Sequence, residues 1–222
     1  MNTQEFLNHI KQQQHPENKK PMMTYMKNQY PFLGIKTPER RQLTKNKLKE
    51  LKQQPNINWQ FITTCWQQPE REYQYIATDY LNLIKEKLKP QDMEKIKRLI
   101  TEKSWWDTVD ALSGTINQLT ATYPELNPTI IKWSLDENIW LRRTAILHQL
   151  LRKQKTNTSL LAEIIENNMG TQEFFINKAI GWALRDYSKT NPNWVKHYTE
   201  KHKQQLSPLS IKEGSKYLKV NK

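Results

Sequence analysis

The chain has 222 residues, with 35 Lys and Arg against 22 Asp and Glu, a formal charge of +13. An excess of this size points to an anionic partner, nucleic acid or an acidic membrane surface. No run of 18 apolar residues occurs, which excludes a transmembrane helix; Cys65, the only cysteine, excludes an internal disulfide and fits a reducing cytoplasm.

The start, Met1-Asn2-Thr3-Gln4-Glu5, lacks the basic-then-apolar pattern of a signal peptide. Five glycines supply neither a GxxxxGK[ST] phosphate loop nor a GxGxxG turn. Five histidines and the one cysteine form no HExxH and no zinc-ligand spacing, so neither a metal nor an organic cofactor is expected.

Leu, Ile, Lys, Glu and Gln dominate, which favours helix over sheet. In chain order, helices are predicted over residues 3–14 and 16–30, followed by a Pro31-Phe32-Leu33-Gly34 turn. Thr37-Pro38-Glu39-Arg40 then supplies an N-cap, a first-turn proline and an acid for a helix over 38–53. Ten more follow at 57–67, 70–87, 91–102, 105–122, 127–135, 138–153, 158–168, 172–188, 192–204 and 208–218.

Ala77, Ala111, Ala145 and Ala179 recur every 34 residues, each mid-helix. One position on stand Thr78, Leu112, Ile146 and Ile180; five on stand Asn82, Ile116, Leu150 and Leu184. A small residue at fixed phase is what close helix stacking needs, with each repeat burying its apolar side on its neighbours. The expected fold is all-α: one domain, residues 1–222, forming a curved α-solenoid with a concave face.

The segment Ser104-Trp105-Trp106-Asp107-Thr108-Val109-Asp110-Ala111 stands out against this background. Trp106 and Asp110 are one helical turn apart, so an indole face and a carboxylate share one side, an arrangement that suits a flat, positively charged ligand. The ordinary reading is a packed tryptophan pair with capping acids. The repeat phase weighs against it. Relative to the alanine, Trp106 is at −5, Asp110 at −1, Arg143 at −2 and Trp182 at +3, all within a sector of roughly 140° at 100° per residue. Packing does not explain an acid and an arginine there.

At these residues the chain resembles the AlkD family of DNA-alkylation-repair glycosylases, built from HEAT-like repeats. The matching segments are Tyr25-Met26-Lys27, PFLGIKTPERR at 31–41, SWWDTVD at 104–110, Trp140-Leu141-Arg142-Arg143 and EFFINKAIGWALR at 173–185. The family's four site residues are matched by Trp106, Asp110, Arg143 and Trp182. The resemblance implies hydrolysis of the N-glycosidic bond of cationic N3- and N7-alkylated purines in double-stranded DNA, 3-methyladenine and 7-methylguanine among them. It implies a basic DNA-binding face and a lesion that stays stacked instead of flipping.

On that reading Trp106 and Trp182 meet the cation, and Asp110 stabilises the sugar cation and orients water. Arg143 grips a phosphate; Lys36, Thr37, Arg41 and Arg185 are further phosphate candidates and Tyr25 a minor-groove candidate. For each of these the alternative is a surface charge, a plain cap or packing. Phe174 and Phe175 reach the opposite strand or the core. Trp59, Trp66, Trp133, Trp140 and Trp194 are assigned to the core, His148 to structure and Asp107 to the helix start. No obvious attacking lysine marks the matched segments, so a monofunctional glycosylase is expected, monomeric and in the bacterial cytoplasm, associated with the nucleoid when bound to DNA. The rival is a non-catalytic α-solenoid scaffold binding nucleic acid or a protein, although the W-x2-L-G-x2-Y signature of the other 34-residue repeat is absent.

Overall fold

The structure, a computed structural model, describes residues 1–218. The described residues form thirteen α-helices and short 3-10 turns joined by loops, with no strand among them. The chain divides into two compact units, Met1–Lys89 and Pro90–Lys222. No described helix is long and apolar enough to cross a membrane.

The first unit holds α1 (Thr3–Gln12), α2 (Pro16–Tyr25), α3 (Thr37–Gln53), α4 (Trp59–Gln67) and α5 (Arg71–Ile84). α5 packs on α3 and α4, and α1 packs on α4. The contact is aromatic: Phe61 meets Phe6 at 5.9 Å and the Tyr80 ring edge-on at 5.6 Å. α1 starts with a capping box in which Asn2 and Glu5 satisfy each other's backbone N–H. Asparagine side chains likewise cap the helices starting at Trp59, Ile139, Thr158 and Pro192, each accepting from a first-turn N–H.

The Pro31–Ile35 turn is held from beneath by Glu72, the fully buried second residue of α5. Its carboxylate accepts from three successive backbone N–H groups: Leu33 at 2.9 Å, Gly34 at 2.8 Å and Ile35 at 3.1 Å. Burial pushes the Glu72 carboxyl above the usual range, and these N–H groups pull it back. The neighbouring Arg71 side chain, also fully buried, lies 4.1 Å from the Tyr30 ring centre. This clamp fixes where α3 begins.

The second unit holds α6 (Met93–Thr101), α7 (Trp106–Thr122), α8 (Asn127–Ser134), α9 (Ile139–Leu147), α10 (Thr158–Glu166), α11 (Phe174–Ser188), α12 (Pro192–Lys201) and α13 (Pro208–Gly214). α7, α9, α11 and α13 lie side by side in that order, while α8 and α10 pack on α9 and α12 packs on α11. Alternate helices of successive pairs thus stack on one another, the α-solenoid arrangement of a helical-repeat protein.

The structure adjusts several expectations. Ala77, Ala145 and Ala179 are fully buried, but Ala111 is exposed. α7 packs through Thr108, Val109, Leu112, Ser113, Ile116 and Leu119, a stripe that leaves Ala111 on its far side. At the +5 phase Ile116 and Leu184 are buried, whereas Asn82 is exposed and Leu150 half-buried. α2 ends at Tyr25 because Lys27 and Asn28 adopt positive φ. α9 stops at Leu147, and Leu151 and Lys153 beyond it also have positive φ. α3 begins at Thr37 itself; Lys36 is the N-cap and no side chain caps the helix.

Gly34 carries a φ of +88°, and a Cβ there would collide with the His15 carbonyl oxygen. Gly34→Ala is expected to cost about 3 kcal/mol or more of unfolding free energy, read by urea denaturation. A loss below about 1 kcal/mol would show that the turn is not held as described.

Candidate functional site

Trp105 is the N-cap of α7 in extended conformation. Its ring joins Trp140 at 5.6 Å and Phe175 at 5.1 Å, and those two rings stand 5.0 Å apart. The adjacent tryptophans therefore separate. Trp105 anchors an aromatic cluster that joins α7, α9 and α11, while Trp106, the first helical residue, lines an open cavity.

One turn on, Asp110 meets Arg143 of α9 in a two-pronged ion pair. Arg143 Nε donates to Oδ1 at 2.8 Å and Nη2 to Oδ2 at 2.9 Å. Arg143 Nη1 donates to the Phe175 carbonyl in the first turn of α11 at 2.6 Å. The Asp110 side chain is 17 % exposed and that of Arg143 only 5 %. Burial pushes the Asp110 carboxyl above the usual carboxylate range; Arg143 opposes that push, and the charge of Asp107 adds to it. A planar fork on a carboxylate is the strongest geometry such a pair has.

The cavity has a volume of about 280 Å³ and lies in the second unit. Trp106, Arg143 and Phe175 form part of its wall, and one face of α11 forms the rest through Phe174, Lys178, Trp182 and Arg185, joined by Glu213 of α13. Trp106 and Trp182 are half-buried and Phe174 is 57 % exposed. Glu213 is bound by three cations: Lys178 Nζ at 2.8 Å, Arg185 Nη1 at 2.7 Å and Lys216 Nζ at 2.9 Å. Arg185 is thus an ion-paired wall residue.

Trp106, Asp110, Arg143, Trp182 and Arg185 all belong to this one region. Asp110 is paired to Arg143 beside the cavity and is the more exposed of the two side chains, while Arg143 is buried and doubly engaged. Arg142 is engaged separately, donating to Asn168 at 2.8 Å.

Tyr25, Lys36, Thr37 and Arg41 belong to the first unit and are exposed there, Tyr25 at 72 %. Arg41 lines a separate cavity of about 740 Å³ beside α3, together with Lys45, Lys49 and Lys52. Among the tryptophans assigned to the core, Trp66 and Trp133 are buried and Trp59, Trp140 and Trp194 are half-buried. His148 is buried, its Nδ1 2.6 Å from the Ala145 carbonyl oxygen, and burial pushes it down to about 3, so the ring is neutral and structural.

Lys178, Glu213, Lys45, Lys49 and Lys52 went unread in the sequence. A stripe was legible: 174, 178, 182 and 185 follow the i, i+4, i+8, i+11 spacing of one helix face, as do 41, 45, 49 and 52. Glu213 gave no such signal, since it reaches the wall from another helix.

With this geometry in place, the comparisons define the class. The family described as DNA alkylation repair enzyme matches residues 6–218, and the chain belongs to that family. A predicted DNA alkylation repair enzyme from Enterococcus faecalis is 42 % identical, with a TM-score of 0.88 over 94 % of this chain and 98 % of that one. AlkD2 from Streptococcus mutans shares the fold at 16 % identity and a TM-score of 0.61, over 82 % of this chain and 100 % of its own. The smu.31 protein of Streptococcus mutans UA159 does so at 19 % identity and 0.59, over 81 % and 98 %. No curated protein matches the chain.

The Arg143–Asp110 pair makes a stability prediction. Arg143→Met would leave a poorly solvated carboxylate without its partner and is expected to cost about 3–5 kcal/mol by thermal or urea unfolding. The double variant Arg143→Met/Asp110→Leu is expected to be more stable than Arg143→Met alone. Strict additivity of the two single changes would contradict the coupling seen here.

Proposed function

We propose that the protein is a monofunctional DNA glycosylase that hydrolyses the N-glycosidic bond of cationic N3- and N7-alkylated purines in double-stranded DNA. The observation that carries this reading is the aromatic cavity itself. Two half-buried indoles, Trp106 and Trp182, share its wall with Arg143, whose fork holds Asp110 in place.

Alkylation at N3 or N7 makes the purine a cation, so its bond to the sugar is already weakened. As that bond breaks, the bonding electrons go to the base, which leaves neutral and needs no general acid. Positive charge then collects on the deoxyribose. Asp110, kept in one orientation by Arg143, stabilises that charge and orients the water that adds to C1′; the water's proton passes to the carboxylate or to solvent. The indole faces stabilise the cation by roughly 0.5–2 kcal/mol each.

Arg143 uses three of its five N–H donors on Asp110 and Phe175. The remaining two serve a phosphate beside the lesion. Lys178 lines the cavity, but its ammonium is tied to Glu213 and is not poised to attack C1′, which favours hydrolysis without a lyase step. A partly open, solvent-facing cavity is compatible with a base that stays stacked.

Phosphate contacts come from several surfaces. The uncapped first turn of α3, with Lys36, Thr37 and Arg41 exposed on it, offers free N–H groups to an anion, and Lys45, Lys49 and Lys52 continue the basic row. Tyr25 is sufficiently exposed to enter a minor groove. The setting is a DNA-containing, reducing compartment, the bacterial cytoplasm.

The test is release of 7-methylguanine from alkylated duplex DNA. Wild type is expected to release it, Asp110→Asn to be slower by about 100-fold or more, and Trp182→Ala by about 3- to 30-fold. A wild type that binds duplex DNA without releasing base would favour the scaffold reading. Affinity is expected to fall steeply with salt, with a log–log slope smaller by about one for each of Lys45→Met and Lys49→Met.

A further inference from the structure

Glu213 sits in the cavity wall because two helices approach with almost nothing between them. A Cβ on Gly181 of α11 would stand 2.6 Å from the Glu213 Cβ, and a Cβ on Gly214 of α13 would stand 2.9 Å from the Leu184 Cβ. Each helix thus presents a glycine to the other, and the short α13 lies flush against α11. Ser210 strengthens the seat by donating to the Asn177 carbonyl at 2.9 Å. At this separation the Glu213 carboxylate reaches Lys178 and Arg185, which flank Trp182 on the same face of α11.

The charges around the cavity then take on a pattern. Arg143, Lys178 and Arg185 are the cations among its described wall residues, and Glu213 is the one carboxylate. Arg143 is balanced by Asp110. Among the described wall residues only Glu213 offsets Lys178 and Arg185, and it is shared with Lys216; its side chain is 8 % exposed and its cations hold it down at about 2. Stripped of this carboxylate, the wall beside Trp182 would present two unopposed positive charges to whatever base entered.

We propose that Glu213 is a specificity-determining residue, the anion that lets this aromatic cavity prefer a positively charged base over a neutral base of the same shape. The inference rests on the reading of the cavity as the lesion site. The indoles favour any flat ring by stacking, so shape alone does not separate the two; the local charge does. Glu213 acts on that choice and takes no part in bond breaking.

The experiment compares two duplexes that differ at one base, 7-methylguanine, a cation, and 7-deaza-7-methylguanine, its neutral counterpart. Both carry a 2′-fluorodeoxyribose to slow cleavage, and affinities are read by fluorescence anisotropy. Wild type is expected to prefer the cationic duplex, and Glu213→Gln to reduce that preference by about fivefold to tenfold. Affinity for the neutral duplex should hold or tighten, since one negative charge is gone. Lys178→Met supplies an independent check should Glu213→Gln fold poorly: with Glu213 less neutralised, preference for the cation should rise about threefold.

An unchanged preference in Glu213→Gln, or an equal loss for both duplexes, would overturn the inference, as would a fall in preference in Lys178→Met. The glycosylase reading fails separately, if wild type releases no 7-methylguanine from ordinary deoxyribose while the cation preference stands.

Discussion

One guanidinium organises the second unit. Arg143 reaches from α9 to the Asp110 carboxylate on α7 and to the Phe175 backbone carbonyl on α11, so three alternate helices meet at a single side chain. Its burial makes the arrangement demanding. A poorly solvated cation is tolerated only with its donors satisfied, and a carboxylate at 17 % exposure only with its partner present. The aromatic cluster of Trp105, Trp140 and Phe175 spans the same three helices, with the Phe175 ring centre 6.0 Å from the Arg143 guanidinium. The orientation of Asp110 therefore follows from the way the repeats stack.

The first unit solves a comparable problem with the opposite sign. Glu72, wholly buried, receives three consecutive backbone N–H groups of the turn before α3. A turn that bends so sharply leaves these donors without helical or sheet partners, and a carboxylate is the side chain able to accept them together. Gly34 permits the bend and Glu72 holds it. The exposed start of α3, where Lys36, Thr37 and Arg41 lie, inherits its position from both.

Much of this was legible in the sequence. All thirteen helices were, because glycine is scarce and the prolines, Pro21 inside α2 excepted, fall at or near segment edges. Their ends were less so: Lys27, Asn28, Leu151 and Lys153 take positive φ although none is glycine, and no local propensity announces that. The alanine repeat succeeded at Ala77, Ala145 and Ala179 and failed at Ala111, because α7 turns a neighbouring stripe to its partners. The phase argument pointed to the region where Trp106, Arg143 and Trp182 line one cavity and Asp110 pairs with Arg143, since helical geometry fixes the face a residue occupies. It was silent on what lies behind that face. Arg143 binds a main-chain carbonyl, which side-chain identity does not encode, and Glu213 arrives from a helix whose placement depends on two missing Cβ atoms. Lys178 and Arg185 resemble an ordinary solvated stripe until that carboxylate is set between them.

The Gly181–Gly214 crossing also makes the cavity draw on a segment far along the chain from its indoles. Both indoles and the Asp110–Arg143 couple lie within residues 106–182, but the wall's carboxylate, Glu213, comes from α13. A polypeptide cut short at Leu206 would keep the indoles and the ion pair and lose the carboxylate that faces Lys178 and Arg185. Any tag or fusion that prises α13 away from α11 would likewise remove Glu213 from beside Lys178 and Arg185.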